Sequence, residues 1–67
     1  MDERLGELAD RVAGIEDQIG ELVMDALRAQ MGDAVSALHA KSLERELAKV
    51  RRSLTKAEVI LRHLASG

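Results

Sequence analysis

The chain has 67 residues with no cysteine, proline or aromatic residue, so one small domain over residues 1–67 must build its core from Leu, Ile, Val, Met and Ala. Lack of cysteine excludes disulfides, thiolate metal sites and thiol nucleophiles; no run is apolar enough to span a bilayer. Met1-Asp2-Glu3-Arg4 is unlike the basic start of a signal peptide, so a cytoplasmic protein without membrane contact is expected. The formal net charge of −2 hides a split between the halves. Residues 1–33 carry Asp2, Glu3, Glu7, Asp10, Glu16, Asp17, Glu21, Asp25 and Asp33 against Arg4, Arg11 and Arg28, a net of −6. Residues 34–67 carry Glu44, Glu46 and Glu58 against Lys41, Arg45, Lys49, Arg51, Arg52, Lys56 and Arg62, a net of +4.

The first predicted element is a helix over about residues 2–31. Two rows of apolar residues recur every seven positions, the spacing of a helix-on-helix seam. The first row runs Leu5, Val12, Ile19, Ala26 and continues as Asp33, Ala40, Leu47, Leu54, Leu61. The second runs Met1, Leu8, Ile15, Leu22, Ala29 and continues as Ser36, Leu43, Val50, Ala57, Leu64. Gly6, Ala13 and Gly20 repeat at the same period beside the seam, with Gly14 close by. Glycine inside a helix costs about 1 kcal/mol relative to alanine, which suggests a close approach by another helix there.

Gly32-Asp33 is the predicted turn. Glycine ends a helix readily in the left-handed conformation, and aspartate is a favoured N-cap for the next helix. A second helix then follows over about residues 34–64. The alternative is a single helix of about 100 Å in an antiparallel coiled-coil dimer, since the seven-residue phase runs unbroken from Ala26 to Ala40. Folding back about Gly32-Asp33 sets acids against bases: Asp25 near Lys41, Glu21 near Arg45, Asp17 near Lys49, Asp10 near Lys56 and Glu3 near Arg62. Glu7 opposite Glu58 is the exception. Pairs of this exposed kind are worth ~0–1 kcal/mol each, so they bear on orientation more than on stability.

Around the turn the two rows become small or polar, while Val23, Met24, Leu27, Met31, Val35 and Leu38 place bulk on other faces. These six residues are the expected oligomer or partner interface, because a monomer rarely leaves such a patch in solvent. A small aliphatic core supplies no more than about 3–5 kcal/mol by itself, which points the same way. Lys49, Arg51, Arg52 and Lys56 form a basic stretch that could meet an anionic partner such as nucleic acid.

Chemistry is sparse. His39 and His63 have no metal-ligand spacing around them, and Ser36, Ser42, Ser53 and Thr55 lack a His/Asp arrangement. Thr55-Lys56-Ala57-Glu58 has the form of a capping box inside a continuous helical run. No cofactor or catalytic residue is expected, and no segment resembles a known family closely enough to carry a function across. The sequence therefore reads as an all-α antiparallel hairpin that self-associates as a four-helix bundle, a homodimer being favoured. Its expected use is a non-enzymatic oligomerisation or docking module; the alternative is a small regulatory or nucleic-acid-binding protein.

Overall fold

The computed structural model describes residues 2–67, so Met1, which opens the second row, lies outside the described residues. Two helices make up the fold: α1, Glu3–Ala29, and α2, Ala34–Ser66, packed antiparallel as a hairpin. The molecule measures 52 × 14 × 10 Å, half the length a continuous helix would require. Among the described residues no helix is long and apolar enough to cross a membrane.

Both helices start as their residues dictate. The Asp2 carboxylate accepts from the Arg4 amide at 2.9 Å, and the Asp33 carboxylate accepts from the Ser36 amide at 2.9 Å and the Ser36 hydroxyl at 3.2 Å. These bonds satisfy donors that the first turn of a helix leaves free. The end of α1 differs from expectation. Gly32 does not take the left-handed conformation; no described residue has a positive φ. Instead Gln30 stays right-handed, and the amides of Met31 and Gly32 bond back three residues to Arg28 and Ala29, each at 3.1 Å. The last turn tightens toward 3₁₀ geometry before Asp33 swings into extended backbone. Thr55 is no cap: its hydroxyl donates to the Arg51 carbonyl at 3.0 Å within α2.

Long side chains reach across between the helices at three levels. Arg62 reaches Asp10 at 3.2 Å, Gln30 reaches Glu44 at 3.5 Å, and the Arg51 guanidinium lies against Gly20. None of the five expected acid–base pairs forms; among the described residues Asp10–Arg62 is the one ion pair that joins the helices. Exposed charge pairs are individually weak, so their absence costs the hairpin little. Because Gln30, Met31 and Gly32 continue the winding of α1 and Asp33 is extended, α2 starts close to the level at which α1 ends.

One expected row faces the partner helix, and the other does not. Leu5, Val12, Ile19, Leu47, Leu54 and Leu61 of the first row are half-buried between the helices, with Ala26 and Ala40 buried. Their companions are a third row: Ala9, Glu16 and Val23 on α1 and its C-cap Gln30, with Ala37, Glu44, Glu58 and Ala65 on α2. Ala9 is fully buried and the others are half-buried. Among the described residues the buried core consists of three alanines, Ala9, Ala26 and Ala40, and no large side chain is fully enclosed.

Candidate functional site

Because the first row pairs with the third, the second row is left outside. Leu8, Ile15, Leu22, Leu43, Val50 and Leu64 are each between 44% and 54% exposed. On an antiparallel pair, rows on the same side of the two contact lines share one face of the hairpin. The second rows of α1 and α2 do so, forming an apolar stripe along the whole molecule.

Near the turn this stripe sinks into a groove of about 610 Å³. Its floor is Ala26, Ala29, Ser36 and Ala40, and its walls are Leu22, Leu43 and Leu47, with Val35, Asp25 and His39 at the rim. The cause is local: at these positions both rows carry side chains of one or two heavy atoms, so the helices meet without filling the space above them. Toward the termini the same rows carry Leu8, Ile15, Leu61 and Leu64, and the stripe is raised.

Of the six residues expected as an interface, five are exposed and one is half-buried. Val23 is half-buried in the third row between the helices. Val35 stands at the rim of the groove. Met24 lies beside Glu21, Asp25 and Arg28 on the outer side of α1. Met31 and Leu38 occupy the corresponding outer positions at the turn and are the more exposed, at 88% and 70%. Leu27 is exposed on the flank of α1.

The basic stretch is also divided. Lys49 pairs with Glu46 at 3.1 Å. Arg51 turns toward the seam, over Gly20. Arg52 sits between two shallow hollows, one lined by Val23, Ala48, Arg51 and Thr55, the other by Glu44, Arg45, Glu46 and Lys49. Lys56 lines neither. Acidic side chains therefore interrupt the row. The glycines have no common role: a Cβ on Gly20 would touch Arg51 at ordinary contact distance, whereas one on Gly6 or Gly14 would meet nothing within 4 Å.

The third row holds an arrangement that the sequence pattern conceals. Glu16 on α1 faces Glu58 on α2, with Arg51 nearby. Burial, then the neighbouring Glu58 carboxyl, hold the Glu16 pKa above its ordinary 4.5; Arg51 acts in the opposite sense. Glu16 Oε1 is screened from water and has no hydrogen-bond partner among the described residues. Glu58 in turn accepts from Arg62 at 2.6 Å, and that bond together with Asp10 raises the Arg62 pKa. Long charged side chains at such positions cover the seam with their stems and keep their heads near water. The period-seven alternation of Ala9, Val23 and Ala37 with Glu16, Gln30 and Glu44 was the available sign, but the charges made it read as a solvated face.

His39 and His63 stand on different parts of α2, and no group of three or more potential metal-binding side chains is found among the described residues. Comparison with protein-family models, with curated proteins and with solved structures finds no match for the chain.

Proposed function

We propose that the chain is a non-enzymatic assembly module, a scaffolding or docking piece that acts by pairing with a second copy of itself through the second-row face. The observation that carries this reading is the division of its apolar residues: three alanines are buried, while six large second-row residues stay half in water on one face. A single hairpin with so little enclosed has a meagre source of stability, and small scaffolds supply the remainder by association.

Surface area supports the same reading. The hairpin exposes 5095 Å², whereas a compact monomer of 7.3 kDa exposes roughly 4,200 Å². The excess of about 900 Å² is close to the ~800 Å² that each partner contributes to a stable interface of standard size. Paired through this face, two hairpins would make a four-helix bundle with the first and second rows inside. The nucleic-acid reading draws less support, since Glu46 takes Lys49 and Arg51 turns into the hairpin.

Substituting Leu22→Asp together with Val50→Asp tests the proposal. Both sites are exposed in one hairpin, so the changes would leave a lone hairpin nearly untouched. The expected result is a dimer for the parent chain and a dissociated, largely unfolded variant, read by light scattering and circular dichroism. A parent and variant of equal mass and equal helicity would refute the pairing face.

A further inference from the structure

We propose that copies of the hairpin join edge to edge, the acidic outer side of α1 in one copy lying against the basic outer side of α2 in the next. This contact uses surfaces other than the second-row face and stands whether or not that face pairs.

The helices carry the split charge of the sequence to opposite sides of the molecule. Glu3, Glu7, Asp10, Asp17, Glu21 and Asp25 recur at intervals of three, four or seven residues, so they share one strip of α1. All six are exposed, on the side turned away from α2. Lys41, Arg45, Lys49, Arg52 and Lys56 recur at intervals of three or four and form an exposed strip on the outer side of α2. Arg28, paired with Asp25, is the one base of α1 on the first strip. No acid of α2 falls on the second; Glu46 stands beside it, against Lys49. Four of the acid–base pairs expected within the hairpin therefore point in opposite directions: Asp10 with Lys56, Asp17 with Lys49, Glu21 with Arg45 and Asp25 with Lys41.

Much of this charge is left uncompensated. Among the described residues Glu3, Glu7, Asp17 and Glu21 have no ion-pair partner, and neither have Lys41, Arg45, Arg52 and Lys56. Like charges three and four residues apart also repel one another along each strip. A strip of opposite sign relieves both, and every copy of the chain carries one.

The strips match in spacing as well as in sign. From Asp10 toward the turn, α1 places Asp17, Glu21 and Asp25 at intervals of seven, four and four. From Lys56 toward the turn, α2 places Lys49, Arg45 and Lys41 at the same intervals, with Arg52 opposite the gap left at Gly14. Two hairpins side by side in one orientation set α2 of the first antiparallel to α1 of the second, the direction this match needs. A neighbouring copy slides freely along the edge, so the match does not depend on how α1 and α2 are levelled within one hairpin. Neither strip contains a second-row residue, so pairing through that face leaves both in solvent. Acidic edge against basic edge is a head-to-tail contact, and copies related by translation add without closing.

Exposed pairs of this kind are individually weak and are screened by salt, which sets the test. Light scattering of the intact chain compares about 0.01 M with about 1 M salt, where charges are felt over ~30 Å and ~3 Å. The expected result is a mass that climbs with concentration in low salt only. Arg45→Glu with Lys49→Glu sets acid against acid at two matched positions, and Asp17→Lys with Glu21→Lys sets base against base. Each variant loses the low-salt rise. All four changes in one chain restore opposite charges, keep the parent's net charge and bring the rise back. These side chains sit in solvent, so helix content in 1 M salt stays that of the parent. Should a reversal lose helix, Asp17→Asn with Glu21→Gln takes its place and is expected to lose the rise as well. A parent of equal mass in both salts overturns the edge contact, as does a rise that survives either reversal or fails to return with all four changes. A chain that binds a DNA duplex in low salt while its own mass stays unchanged makes the basic strip a polyanion surface and also overturns it. The mass in 1 M salt, one protomer or two, reports separately on the second-row face.

Discussion

The two ends of the hairpin use the same seven-residue frame with opposite amounts of bulk. Toward the termini the first two rows carry Leu5, Leu8, Val12, Ile15, Leu54, Leu61 and Leu64; toward the turn they carry Ala26, Ala29, Ser36 and Ala40. The terminal end presents more apolar volume than one partner helix covers, and the turn end leaves about 610 Å³ unfilled. Under the proposed pairing, a second copy would complete this imbalance. Regular spacing sets which helices meet, while side-chain size along the row sets how much of the core one pair of helices fills.

The comparison breaks most visibly at the second row. Leu22→Ala or Leu43→Ala should cost about 2–5 kcal/mol per site if a second copy buries it, and within about 0.5 kcal/mol if the face is solvated. Chemical denaturation at fixed concentration separates the two. Next in size is Ala9→Leu, at the fully buried contact between the helices. Overpacking there should cost about 1–3 kcal/mol in the same assay, whatever the assembly state. Gly14→Ala acts on the helix alone: its Cβ meets nothing within 4 Å, so a gain of about 0.5–1 kcal/mol is expected.

A pH series sharpens the account of the seam between these ends. The Glu16 pKa is raised in the hairpin, so the folded chain holds that proton more tightly than the unfolded one. Its contribution is fully present at and below about 4.5 and is lost as pH rises through the folded value. Asp33 has the opposite sign: the Ser36 amide lowers its pKa from 3.8, so its contribution is present above 3.8 and is lost as pH falls below. Thermal melts of the parent should therefore rise on acidification from neutrality toward 4.5. Glu16→Gln should be flat across that window and keep the loss at lower pH. The smallest effect is expected from Leu27→Asp with Met31→Asp, which lie off the second-row face; light scattering should show unchanged mass.

Much of this fold was legible because it rests on local rules. Helices expected over 2–31 and 34–64 run Glu3–Ala29 and Ala34–Ser66, and Asp33 caps α2 through Ser36. The first row lies between the helices as its spacing implies. What the pattern did not disclose is which neighbour the first row takes. The second row is more apolar, yet the third is used within the hairpin, because Ala9, Val23 and Ala37 let the backbones approach and Glu16, Gln30 and Glu44 extend their heads outward. That choice is made by side-chain size and reach across two helices, which a one-dimensional period does not encode. Of the turn-end patch, Val23 went to the third row between the helices, while Met24, Leu27, Met31, Val35 and Leu38 stay exposed. The expected glycine cap gave way to a tightened last turn because three backward amide bonds satisfied the same carbonyls.

Sedimentation equilibrium of the intact chain over a wide concentration range tests the central claim most directly. Self-pairing requires a species of twice the 7.3 kDa protomer mass that dissociates and loses helix together on dilution. A fully helical 7.3 kDa particle at the highest concentrations would contradict it.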